Sequence, residues 1–154
     1  MDLTSELQRL HERAESLYLS GDFHCAEAVL KVILENFRTE LPESIWTVAS
    51  GFPRGVGGSG CICGALAGGT MAIGMFLGAT STREEEVTKA MQLSRELHDR
   101  FKANHKATCC RALTRKLELG TPERKRQCAQ FTAEVTEEVA RIIIREKGAD
   151  MLRQ

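Results

Sequence analysis

From Val56 to Thr82 the chain runs for 27 residues without a charged side chain. A stretch this long either crosses a bilayer or lies at the centre of a fold, because polar backbone without polar side chains must be covered. Its strongly apolar members are few: Ile62, Leu66, Met71, Ile73, Met75, Phe76 and Leu77. Glycine, serine and threonine dilute them, and no basic cluster or aromatic belt flanks the run, as the ends of a membrane span require. We therefore expect a central buried helix and no membrane association. The run opens on Gly55 with GVGGSGCICGALAGG, seven glycines and two cysteines in fifteen residues. Ordering glycine costs more entropy than ordering any other residue, so this segment must need either left-handed backbone or close approach.

The rest of the chain reads as helix. Leu3, Leu7, Leu10, Ala14 and Leu17 trace one stripe, with Gly21 placed to end it. Asp22 can cap a second helix carrying Ala26, Val29, Leu30, Ile33 and Phe37. Pro42 opens a short helix around Ile45, Trp46 and Ala49, and Trp46 reads as a core or interface anchor. A glycine loop leads into a helix from about Cys61 to Leu77. Ser81–Glu84 and Thr82–Glu85 each fit a capping box, starting a long amphipathic helix. A further helix is expected over Thr108–Leu117, ended by Gly120. Thr121-Pro122-Glu123 then starts the last one, which runs to Gly148. No segment alternates with a period of two. The expectation is an all-α fold over residues 1–154, a single-domain bundle of five to seven helices, with the glycine-rich loop leading into a central buried helix.

Charge is neutral overall but unevenly spread. Residues 100–126 hold nine lysines and arginines against Glu118 and Glu123, a local excess of +7 that the remainder balances. This segment can be solvated helix surface or a docking patch for an acidic partner protein. It has little aromatic interleaving and no nucleic-acid fingerprint, so no nucleic-acid partner is expected. The first fifteen residues contain no apolar core of a signal peptide. The expected compartment is the cytoplasm, where cysteines stay reduced and act as ligands, redox groups or buried apolar residues.

Gly55-Val56-Gly57-Gly58-Ser59-Gly60 matches the dinucleotide fingerprint but lacks the preceding strand and the later acid. The glycines that follow Cys63, namely Gly64, Gly68 and Gly69, clear one side of a helix for a neighbouring backbone or a bulky cofactor. The six cysteines are Cys25, Cys61, Cys63, Cys109, Cys110 and Cys128. They contain no C-x-x-C pair, which removes the zinc-ribbon and thioredoxin readings. On a helix, C-x-C partners diverge by about 200° and adjacent cysteines by about 100°. One thiol of each close pair therefore faces any shared site. The residues themselves give Cys25, one of Cys61/Cys63, one of Cys109/Cys110, and Cys128.

His24-Cys25-Ala26-Glu27-Ala28-Val29, then Ala49-Ser50-Gly51-Phe52, the glycine run and Cys63-Gly64-Ala65-Leu66-Ala67-Gly68-Gly69 resemble a redox-active family named for its C…CGAxxG…C…C pattern. Cys110-Arg111-Ala112-Leu113 and Cys128 resemble that family's last two cysteines. The resemblance implies a small cytoplasmic redox protein and places the four family cysteines on Cys25, Cys63, Cys110 and Cys128. A related domain occurs in split-Soret-type cytochromes, which implies electron transfer, with an iron–sulfur centre as the group concerned. His24 stands where many relatives carry Asn, and Cys61 and Cys109 are additional thiols. Either extra cysteine could replace its neighbour as a ligand or serve as a resolving thiol.

Three functions follow as expectations. The first is electron transfer through an iron–sulfur or other metal centre on Cys25, Cys63, Cys110 and Cys128, with Gly64, Gly68 and Gly69 beside the cofactor. The second is metal-free thiol–disulfide chemistry at Cys63 and Cys110, with Cys63 activated by a helix start. The third is a helical interaction module with inert buried cysteines, forming a homodimer through the glycine-rich helix. A redox partner protein docking on residues 100–126 goes with the first two.

Overall fold

A computed structural model describes residues 2–80 and 84–154. The capping boxes expected at Ser81 and Thr82 lie outside the described residues. Among the described residues six α-helices follow one another: α1 (Leu3–Leu19), α2 (Cys25–Asn36), α3 (Gly64–Leu77), α4 (Glu84–His105), α5 (Cys110–Thr114) and α6 (Pro122–Lys147). Short 3-10 segments cover Glu43–Gly51, Val56–Gly58 and Ala149–Met151. No strand is present among the described residues, so the all-α expectation stands.

The apolar stripes explain the assembly. Helix α2 buries Ala26, Ala28, Val29, Leu30, Val32, Ile33 and Leu34, leaving little of its surface to solvent. It packs against α3, and this pair forms the centre, flanked by α1, α4 and α6. On α1 the expected stripe buries Leu7, Leu10, Ala14 and Leu17, whereas Leu3, in the first turn, is exposed. Gly21, at φ +85°, ends the helix in the left-handed position as expected.

Asp22 does not cap α2. The N-cap is His24, whose backbone N–H donates to the Glu27 carboxylate at 3.3 Å, and Ser50 Oγ donates to the same carboxylate at 3.3 Å. The segment around Trp46 is 3-10 and not α-helical. Trp46 is half-buried there, edge-on to Phe23 with ring centroids 5.1 Å apart. Thr121 caps α6 as the sequence indicates, its Oγ1 accepting from the Arg124 N–H at 3.4 Å. The chain's end returns to α2: Arg38 N–H donates to Met151 O and Arg153 N–H to Asn36 O, both at 2.8 Å.

Helix α3 is central and buried, and its glycines explain how. A Cβ at Gly68 would lie 2.6 Å from the Ala26 carbonyl oxygen and 3.0 Å from its Cα, so α2 and α3 touch backbone to backbone. A Cβ at Gly69 would lie 2.6 Å from Val135 Cγ1 and 2.8 Å from Leu97 Cδ2. Gly68 and Gly69 are therefore covered within the chain, whereas Gly74 is exposed. No helix among the described residues is long and apolar enough to cross a membrane.

Candidate functional site

The connection between α2 and α3 folds back onto the start of α2. Arg54 and Gly55 both adopt positive φ, 60° and 80°, and turn the chain back on itself. Arg54 is unusual as a non-glycine residue there, and its placement has a consequence: its backbone N–H points at the Cys25 sulfur. The Ala26 N–H points at the same atom. Cys63 is the N-cap of α3, and its sulfur faces the N–H groups of Ala65 and Leu66. A Cβ at Gly64 would overlap the Cys25 sulfur, so this glycine lets the first two thiols share one space.

The second half of the chain completes the site. Cys110 is the first residue of α5, and Thr114 Oγ1 donates to its carbonyl at 2.7 Å. Cys128 lies in the second turn of α6, and Thr132 Oγ1 donates to its carbonyl at 2.8 Å. The Tyr18 hydroxyl from α1 and the Arg124 guanidinium both reach the Cys128 sulfur. Cys25, Cys63, Cys110 and Cys128 thus line one cavity of about 270 Å³. Phe23, Leu113, Leu119 and Phe131 give it an apolar wall, and Arg54, Arg124 and Lys125 give it positive charge. No carboxylate among the described residues lines it.

Burial dominates the electrostatics of the thiols. It pushes Cys25 up to about 11, with the charge of Cys128 adding to the effect, while the Ala26 and Arg54 amides oppose it. It pushes Cys63 up to about 12, reinforced by Cys25 and opposed by the Leu66 and Ala65 amides. The expected activation of Cys63 by its helix start is therefore outweighed by desolvation. Cys128 is raised too, by burial, against the hydrogen bond from Tyr18. The Tyr18 hydroxyl, buried among these sulfurs, is held well above the usual phenol range. Among the described residues no three His, Cys, Asp or Glu side chains converge on a point where one metal ion could sit. The four sulfurs are spread around a cavity and are not clustered at a point.

Gly64 lines this cavity. Gly68 and Gly69 do not; their missing side chains serve the packing of α2, α4 and α6. Cys61 and Cys109 also lie outside the cavity. Neither is helical: Cys61 is in the loop, exposed, and Cys109 is the half-buried N-cap of α5. The Cys61 thiol is near enough to raise that of Cys109. Tyr18, Arg54 and Arg124 were not expected in the site. Arg124 had a usable signal, since it precedes Cys128 by four residues and so shares its helix face.

Nothing among curated proteins or solved structures matches the chain. A family model does, under the description "Putative redox-active protein (C_GCAxxG_C_C)", over residues 23–142. That span holds all six cysteines and every helix from α2 to most of α6. With the match covering more than three-quarters of its length, the chain belongs to this redox-active family.

Proposed function

We propose that the cavity holds an iron–sulfur cluster on Cys25, Cys63, Cys110 and Cys128 and that the protein carries electrons. The observation that carries this reading is the convergence of four thiols, from four separate segments, on one cavity. Four thiolates are the usual ligand set of [2Fe–2S] and [4Fe–4S] centres. Sulfurs spread around a cavity suit a group with volume better than a single ion. When bound, such a cluster takes up and releases electrons one at a time.

The chain's own residues have three tasks. The first is to supply deprotonated sulfur. Burial opposes this in the metal-free protein, so loading and loss of the thiol protons are coupled. The second is to stabilise the resulting negative charge. The amides of Ala26, Arg54, Ala65 and Leu66, the Tyr18 hydroxyl and the Arg124 guanidinium are aimed at the sulfurs, and Lys125 adds a further cation. The third is to exclude water, for which Phe23, Leu113 and Phe131 are placed. An acidic partner protein docking on residues 100–126 would meet Arg124 and Lys125 at the cavity itself. Disulfide chemistry at Cys63 is the weaker reading, because burial keeps that thiol protonated.

The test is anaerobic reconstitution of the full chain with ferrous iron and sulfide. Bound iron, acid-labile sulfide and visible charge-transfer absorption are expected. All should be lost when any one of Cys25, Cys63, Cys110 or Cys128 is changed to Ser, and retained in Cys61→Ser and Cys109→Ser. Protein that stays colourless and iron-free after reconstitution overturns the assignment.

A further inference from the structure

The cavity uses four cysteines and leaves Cys61 and Cys109, which are 48 positions apart in the chain. The fold nevertheless brings them to neighbouring positions, with the Cys61 thiol within interacting range of the Cys109 thiol. Backbone hydrogen bonds hold the two segments in register on either side of the pair. Arg111 N–H donates to Gly60 O at 3.0 Å, and Cys63 N–H donates to Thr108 O at 2.7 Å. Both cysteines lie between these two bonds, so their segments are held close, and a disulfide between them needs Cα atoms roughly 4.4–6.8 Å apart. Gly60, at φ +82°, permits the approach, because a Cβ there would lie 2.9 Å from Arg111 Cβ. The Arg111 guanidinium crosses between the segments to donate to Ser59 O at 2.8 Å. The Cys61 carbonyl is itself fixed, accepting from the Val56 N–H at 2.6 Å.

The two residues differ in exposure. Cys61 is exposed and Cys109 is half-buried. We propose that they form a second, solvent-facing redox site that reacts with low-molecular-weight disulfides bearing carboxylates, with Cys61 as the entering thiol and Cys109 as the resolving one. Arg111 supplies the cation that such a disulfide would meet. Cys61 loses its proton to water, and its sulfur attacks one sulfur of R–S–S–R. That S–S bond breaks, a Cys61–S–S–R bond forms, and the departing thiolate takes up a proton. Cys109 then loses its proton and attacks the Cys61 sulfur. The Cys61–Cys109 bond forms as the second thiolate leaves and is protonated. The protein gives up two electrons and two protons, and the disulfide becomes two thiols. The bridge would tie together the two segments that deliver Cys63 and Cys110 to the cavity. This site stands on the nearness of Cys61 and Cys109 alone and does not depend on what the cavity holds.

The experiment uses the reduced, metal-free full chain and oxidised glutathione without oxygen, followed by tryptic digestion under non-reducing conditions. In the unaltered protein, peptides 55–83 and 107–111 should be joined with loss of two hydrogens. Each peptide carries a second cysteine, so two surface variants with unchanged circular dichroism decide which sulfurs are used. In Cys109→Ser the reaction should stop at a glutathione adduct that fragmentation places on Cys61. In Cys61→Ser joining should slow by about ten-fold or more. Absence of the joined peptides in the unaltered protein overturns the proposal. So does joining at an undiminished rate in either variant, or an adduct in Cys109→Ser that is not on Cys61.

Discussion

Gly64 is the residue on which the geometry of the cavity turns, because the Cys25 sulfur occupies the place of its missing side chain. Gly64→Ala should cost about 1–3 kcal/mol, the usual range for overpacking, measured by urea unfolding. It should also reduce iron uptake, since Cys25 must move. Unchanged stability and full loading would mean that Cys25 has room elsewhere. The thiols make a second prediction. Burial raises Cys25 to about 11 and Cys63 to about 12, against an ordinary value of 9.0. Between pH 9 and 11 the unfolded chain releases these protons while the folded chain keeps them. The stabilisation is therefore complete below pH 9 and is lost as pH rises through the folded values, at about 1.4 kcal/mol per pH unit for each thiol. Denaturant midpoints of the metal-free protein should fall over that window, and Cys63→Ala should flatten the decline. A midpoint independent of pH up to 11 would contradict the burial of both sulfurs.

Among the elements, α3 separates two uses of glycine. Gly68→Ala sets a methyl group against the Ala26 backbone, which yields only if α2 and α3 part, so a loss of about 2 kcal/mol or more is expected. Gly69→Ala meets the ends of Val135 and Leu97, which can turn aside. The gain of about 1 kcal/mol in helix propensity then offsets much of the cost. The two midpoints in urea should differ clearly, and equal losses would refute the backbone contact. This helix also marks how far the sequence was legible. Its central burial followed from the absence of charge over Val56–Thr82, and the ends of α1 and α6 from Gly21, Thr121 and Gly148. The convergence of one cysteine from each of four segments was legible from spacing, and the choice within each pair from the family pattern. The nearness of Cys61 to Cys109 was not. Helical spacing does not apply to either close pair, because Cys61 lies in a loop, and α5 starts only at Cys110 and ends at Thr114. Periodicity carries no information about two non-helical segments paired across 48 positions.

At the level of the whole molecule, the cavity joins α1, α2, α5, α6 and the loop before α3. A group held there is bound by the folded state alone, so loading must stabilise the entire bundle. At a hundredfold excess over Kd the gain is about 2.7 kcal/mol. For a chain of this length that corresponds to a rise in Tm of about 5–10 °C. Thermal unfolding followed by circular dichroism should show that rise on reconstitution, and Cys128→Ser should remove it. Identical melting of loaded and unloaded protein would place the iron outside the cavity. The distance along the chain between its sulfurs has one more consequence. Cys128 leaves the ribosome more than a hundred residues after Cys25. The four-thiol set is therefore incomplete until Cys128 has emerged, and only from that point on can whatever fills the cavity be held by all four sulfurs.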